Sequence, residues 1–180
     1  MSRAAVDQLL YLLDEAFEGI DKRWHSLLGN LESVTEDDWL WTPPGGARTI
    51  RAITAHVGGA VYLYYDRVFG NYRVFGDPVP DWNVPAGDLG FGTEELQSPG
   101  RLPKEPPMTD VIAWMTECHC RFRDRVAQLD DAGLMEQCSN HRGELYPVRW
   151  FVGVMIQHYS YHAGEINHIR ALHQGDDGSS

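Results

Sequence analysis

Four stretches of the sequence repeat apolar residues at steps of three and four, which is the period of an amphipathic α-helix. The first runs from Val6 to Leu31 and predicts one long helix that frays near its end. The second extends from Ile50 to about Phe69, the third lies between Thr109 and Leu129, and the fourth lies between Pro147 and His173. None of them shows a convincing strand alternation. The pattern therefore predicts an all-α protein, a four-helix bundle.

Residues typical of helix ends stand at the borders of these stretches. Thr49 is suited to cap the second helix, and Gly70 to end it. Thr35 with Asp38 three residues later is a capping pattern for a short turn. Pro147 is suited to the first position of the last helix, because proline has no backbone N–H to satisfy there. The capping residues thus agree with the apolar period.

The connection between the second and third helices, residues 70–107, is rich in glycine and proline. It holds seven prolines and six glycines and shows no sustained periodicity. A long segment of this kind is a functional loop or a crossover between distant ends of the bundle, and both interpretations stay open. We expect a single domain over residues 1–175 and a disordered tail at residues 176–180.

Charge and hydropathy limit the partners of the chain. The net charge is −11, from 26 acidic and 15 basic residues, and the one basic group, Arg121, Arg123 and Arg125, is typical of a solvated helix face. This excludes the basic surface by which proteins bind nucleic acid. No apolar run approaches the roughly 18 residues of a membrane helix, and no signal peptide is evident. We expect a cytoplasmic protein without a membrane partner.

The fourth helical stretch carries polar residues on its apolar face. His158 and His162 are four residues apart, so their side chains lie on one face of the helix and can converge on one ion. Glu165 follows on the same face. The spacing alone leaves two interpretations open, a metal site and a pair of hydrogen-bonded core histidines.

His56 in the second helix favours the metal site. It lies on the turns that carry the apolar residues, and Gly58 and Gly59 follow it, although glycine is unfavourable inside a helix. Small residues there allow another helix to approach closely or leave room for a ligand. One histidine from one helix and an i, i+4 pair from another is how bundles build metal sites. Three neutral imidazoles suit zinc, nickel or iron and leave coordination positions open.

Two segments of the sequence resemble motifs of the DinB-like superfamily of metal-binding four-helix bundles. Residues 49–56, T-I-R-A-I-T-A-H, are similar to its second-helix motif, and residues 158–170, H-Y-S-Y-H-A-G-E-I-N-H-I-R, to its fourth-helix motif, H-x-x-x-H-x-G-[QE]-I. The preceding pair Arg149-Trp150 also occurs in actinobacterial branches. The resemblance implies a four-helix bundle, often a homodimer, with a divalent metal ion on His56, His158 and His162.

The resemblance also implies an activity, because the superfamily includes thiol S-transferases and a thiol-dependent isomerase that use mycothiol or bacillithiol. We therefore expect a metal-dependent enzyme that transfers or isomerises with a small-molecule thiol and an electrophilic substrate. Zinc or nickel is the expected metal, with iron or manganese as alternatives. A non-catalytic, stress-related metal-binding protein and a metal-dependent hydrolase are the alternative functions.

Two further polar residues are candidates near such a site. Glu165 is the candidate catalytic residue, either for proton transfer or for orienting a ligand, and a simple ion pair is the alternative. His119 falls on the apolar face of the third helix. A core histidine with a hydrogen-bond partner explains it, so it is left out of the predicted ligands.

Overall fold

The computed structural model describes residues 2–46, 48–70, 107–140 and 142–175. These residues form six α-helices and two short strands: α1 Ala4–Phe17, α2 Leu27–Leu31, α3 Glu36–Leu40, α4 Ile50–Phe69, α5 Met108–Ala127, β1 Gln137–Ser139, β2 Leu145–Pro147 and α6 Val148–Gln174. The four long helices, α1, α4, α5 and α6, pack side by side around one apolar core. The predicted all-α four-helix bundle is confirmed. Most of the predicted glycine- and proline-rich connection, residues 71–106, and the predicted tail lie outside the described residues.

The helix ends follow from the capping residues that the sequence shows. The Thr49 hydroxyl accepts a hydrogen bond from the Ala52 amide at the start of α4, and Gly70 ends that helix with a φ of +67°. Thr35 and Asp38 form a complete capping box at the start of α3. Pro147 directly precedes the first residue of α6 instead of occupying its first position. The capping predictions are therefore confirmed to within one residue.

The prediction of one long first helix is wrong. The chain leaves α1 after Phe17, and Gly19 adopts a φ of +74°. An added Cβ at Gly19 would lie 2.4 Å from Arg23 Cα, so the chain turns tightly on itself here. Ser26 then caps α2 by accepting a hydrogen bond from Gly29 N. Ile20 and Trp24, which continue the apolar steps of the first stretch, lie in the break and are exposed.

The strands β1 and β2 were also not predicted. They pair antiparallel, with Cys138 opposite Tyr146, and join the end of α5 to the start of α6. Helix α5 itself ends at Ala127, two residues before the predicted end at Leu129, and a 3₁₀ turn at Gly133–Met135 follows. Strands of three residues are too short to show an alternating pattern.

A close contact between α4 and α5 explains one of the two glycines after His56. An added Cβ at Gly58 would lie 2.1 Å from Cζ3 of Trp114, so the indole ring occupies the space that a side chain at residue 58 would need. This matches the expectation that a small residue there allows another helix to approach. No helix in the described part of the chain is long and apolar enough to span a membrane.

A larger side chain at residue 58 is expected to destabilise the bundle. We expect Gly58→Val to lower the free energy of unfolding by about 2 kcal/mol, because extra methyl groups in a packed contact cost about 1–3 kcal/mol. Urea unfolding followed by circular dichroism measures it. The matched control is Gly164→Val on α6, where an added Cβ meets nothing within 4 Å. A Gly58→Val protein as stable as the control would contradict the predicted clash.

Candidate metal centre

Three histidines from two neighbouring helices meet at one point. His56 lies on α4, and His158 and His162 lie one turn apart on α6. His158 Nε2 is 3.0 Å from His56 Nε2 and 3.1 Å from His162 Nε2. Ligand atoms of all three lie within 4.8 Å of one another. The structure thus brings together the three residues that the sequence predicts as ligands.

The hydrogen-bonding capacity of these rings fits a shared cation. His162 Nδ1 lies 2.7 Å from Glu165 Oε2, and because a carboxylate only accepts, Nδ1 carries the proton and Nε2 presents a lone pair. His158 Nε2 faces two imidazole nitrogens but has at most one proton to donate in the neutral ring. Nitrogens about 3 Å apart can all lie about 2.0–2.1 Å from one ion, the usual zinc–nitrogen distance. The residues therefore fit a divalent metal ion.

The surroundings of His158 keep its ring neutral. His162 is 2% exposed, and His158 is partly buried. Burial, followed by the neighbouring His162, His56 and Arg48, lowers the pKa of His158 to about 3. Neutral imidazole is the form that binds metal ions. At neutral pH His158 is thus already in its ligand form.

Glu165 contacts the cluster through His162. Its hydrogen bond is to Nδ1, the ring nitrogen remote from the other two histidines. That hydrogen bond is the main cause that lowers the pKa of Glu165, against the opposing effect of burial. The predicted candidate catalytic residue is therefore an ionised carboxylate bound to one of the predicted ligands.

Comparison with known proteins places this fold and cluster in a family. The family model of the DinB superfamily matches residues 20–166. The chain belongs to the DinB superfamily. A similar solved structure is YfiT from Bacillus subtilis, described as a probable metal-dependent hydrolase with an unusual four-helix bundle topology. It is 16% identical, the TM-score is 0.65, and the match covers 98% of this chain and 91% of that one. No curated protein matches the chain.

His119 of this DinB-superfamily protein lies outside the histidine cluster. It is fully buried, its ring stacks on Phe17 with the ring centroids 3.8 Å apart, and its Nδ1 is 3.2 Å from the Tyr159 hydroxyl. Burial, followed by the positive charge of Arg123, lowers its pKa to about 3. It is a neutral core histidine with a hydrogen-bond partner.

An ion pair beside His119 is not predicted by the sequence. Arg123 donates hydrogen bonds to both oxygens of the Asp14 carboxylate, with Nε 2.9 Å from Oδ1 and Nη2 2.9 Å from Oδ2. Asp14 is 9% exposed and also lies 3.8 Å from His119 Nε2. The assignment of Arg123 to a solvated face is therefore corrected. The available signal was its position one turn after His119 on the same face of α5.

Proposed function

We propose that this protein is a metal-dependent enzyme that acts with a low-molecular-weight thiol, and that His56, His158 and His162 hold its divalent ion. The observation that supports it is the convergence of the three Nε2 atoms, two pairs of which are separated by 3.0 and 3.1 Å. Zinc or nickel suits three imidazole nitrogens, and iron and manganese are the alternatives. A homodimer in the cytoplasm stays a prediction from the resemblance and the composition.

A three-nitrogen site suits catalysis more than a purely structural ion. Structural zinc sites are filled by four protein ligands, whereas catalytic sites keep one position for water or substrate. No fourth histidine, cysteine or carboxylate joins the cluster among the residues that the structure describes. When bound, the ion would supply Lewis acidity that lowers the pKa of a thiol or a water molecule in the open position.

The thiol has to come from outside the protein. All three cysteines are free, but none belongs to the histidine cluster. Burial raises the pKa of Cys118, of Cys120 and of Cys138, which disfavours the reactive thiolate in each. The chain therefore has no activated thiol of its own in the described residues, and a small thiol cosubstrate supplies the nucleophile.

The position of Glu165 favours a thiol over water as the second reactant. Hydrolysis at a metal site is accelerated by a general base within reach of the attacking water. Glu165 accepts a hydrogen bond from His162 Nδ1–H, and no other carboxylate joins this cluster in the described part of the chain. A thiol needs no such base, because binding to a metal ion deprotonates it.

The test is conjugate formation by the metal-loaded protein. Zinc- and nickel-loaded protein is incubated with mycothiol, bacillithiol, glutathione or cysteine and an electrophile such as monobromobimane, and mass spectrometry measures the conjugate. We expect one thiol to react at least about 100-fold faster than without protein. His158→Ala should return the rate to background, whereas His168→Ala, an exposed position on the same helix, should not. Background rates with every thiol would overturn the proposal.

The second candidate is a metal-dependent hydrolase, because the similar structure of YfiT is described as a probable one. Hydrolysis of p-nitrophenyl esters by the loaded protein without added thiol would favour it. Stoichiometric metal binding with neither reaction would leave the non-catalytic metal-binding protein as the function.

A further inference from the structure

Each ring nitrogen of His162 has a defined neighbour, Glu165 at Nδ1 and His158 at Nε2. Nδ1 donates to Oε2 of Glu165 at 2.7 Å, and Nε2 lies 3.1 Å from Nε2 of His158. The two residues are three positions apart on α6, so one helical turn sets their geometry. His162 is 2% exposed, so water does not compete for its ring nitrogens.

This hydrogen bond selects one tautomer of His162. A neutral imidazole carries its proton on Nδ1 or on Nε2, and only the Nδ1–H form leaves a lone pair on Nε2. An ionised carboxylate accepts and never donates, so Glu165 excludes the tautomer whose Nε2–H would face the cluster. A buried hydrogen bond also holds the ring at one angle, so that the lone pair keeps its direction.

His158 has no comparable partner in the described residues. Its Nδ1 is buried and makes no hydrogen bond there, while its Nε2 faces the other two histidines. On α6, therefore, only one of the two histidines has its tautomer fixed by a side chain. The side chain that fixes it is Glu165.

We propose that Glu165 is a positioning residue, which presents the Nε2 lone pair of His162 to the metal ion and does not serve as the general base. The inference rests on the proposed metal site. The Glu165 carboxylate is hydrogen-bonded to His162 Nδ1, so the carboxylate lies across the imidazole ring from Nε2, the nitrogen that faces the cluster. The chemical requirement at residue 165 is thus an acceptor oxygen, and a titrating acid is not needed.

The test distinguishes a hydrogen-bond acceptor at residue 165 from a residue that transfers a proton. Glu165→Gln keeps an acceptor oxygen at nearly the same place and removes the acid, and Glu165→Ala removes both. Zinc affinity is measured by competition with a chromophoric chelator. We expect Glu165→Gln to bind zinc within about threefold of the wild type and Glu165→Ala to bind about 10- to 100-fold more weakly. Glu117→Ala, which removes an exposed carboxylate from α5, is the control and should not change the affinity.

A spectroscopic measurement tests the tautomer directly. Long-range ¹H–¹⁵N correlation spectra of the metal-free wild type should show His162 protonated at Nδ1 alone, and Glu165→Ala should show a mixture of both tautomers. Zinc affinity of Glu165→Ala within twofold of the wild type would overturn the inference. If the wild type itself binds none of zinc, nickel, iron and manganese, the proposed function fails. The spectra then decide this inference alone, and a mixture in the wild type would overturn it.

Discussion

Replacing His162 by alanine is expected to abolish stoichiometric metal binding. The wild type should retain close to one zinc or nickel ion per chain after gel filtration, as measured by elemental analysis, and the variant close to none. Two imidazole nitrogens remain, and they cannot hold the ion as three do, so we expect the affinity to fall by more than about 100-fold. His162 is an informative ligand to remove, because a second side chain, Glu165, is hydrogen-bonded to its ring.

The same variant should lose the stabilisation that metal binding provides. An ion at 100 times its dissociation constant stabilises the native state by about 2.7 kcal/mol, or roughly 5–10 °C in melting temperature for a chain of this size. Calorimetry with and without zinc measures this shift. His168→Ala is the control, because His168 is exposed on the same helix and outside the cluster. A His162→Ala protein that keeps its ion and its shift would contradict the assignment of the ligands.

Lowering the pH from 7 to 4.5 is expected to remove about 2–3 kcal/mol of stability through His119 alone. Burial, followed by the charge of Arg123, lowers the pKa of His119 in the folded protein to about 3, from 6.5 in the unfolded chain. Below pH 6.5, therefore, His119 binds a proton in the unfolded state and stays neutral in the folded state. The stability contributed by the neutral ring is complete above pH 6.5 and is lost at about 1.4 kcal/mol per pH unit below it.

Urea unfolding of metal-free protein at several pH values checks this prediction. The wild type is compared with His119→Gln, which keeps a polar side chain but cannot be protonated in this range. All other titrating groups, including His158, are common to both proteins, so the difference between the two pH curves isolates His119. The curves should converge as the pH falls, and parallel curves would show that His119 does not titrate as the structure requires.

The sequence predicts the long helices because burial on one side of a helix imposes a period that can be read directly. It does not predict the break after Phe17, because α1 and α2 both face the core: Leu13 and Phe17 before the break and Leu27 and Leu31 after it are all buried. The apolar steps thus continue through a tight turn that depends on Gly19. Three-residue strands such as β1 are also not predicted, because they are too short to show an alternating pattern.

The candidate site is likewise only partly predictable from the sequence. His158 and His162 can be paired from their spacing, because one helix fixes their relation. His56 is 102 residues from His158, and only the packing of α4 on α6, or a motif of the family, associates them. The pair Asp14 and Arg123 is 109 residues apart, so no local pattern joins the two, and the available signal was the position of Arg123 one turn after His119.

The three histidines come from two helices that are far apart in the sequence, and this has a consequence for the order of events during folding. A chain that has formed α6 but has not yet docked α4 offers only two of the three nitrogens. Metal binding would therefore follow the packing of α4 on α6 and would not follow the formation of α6 alone. An ion bound at this site would therefore stabilise only molecules in which α4 and α6 have already packed together.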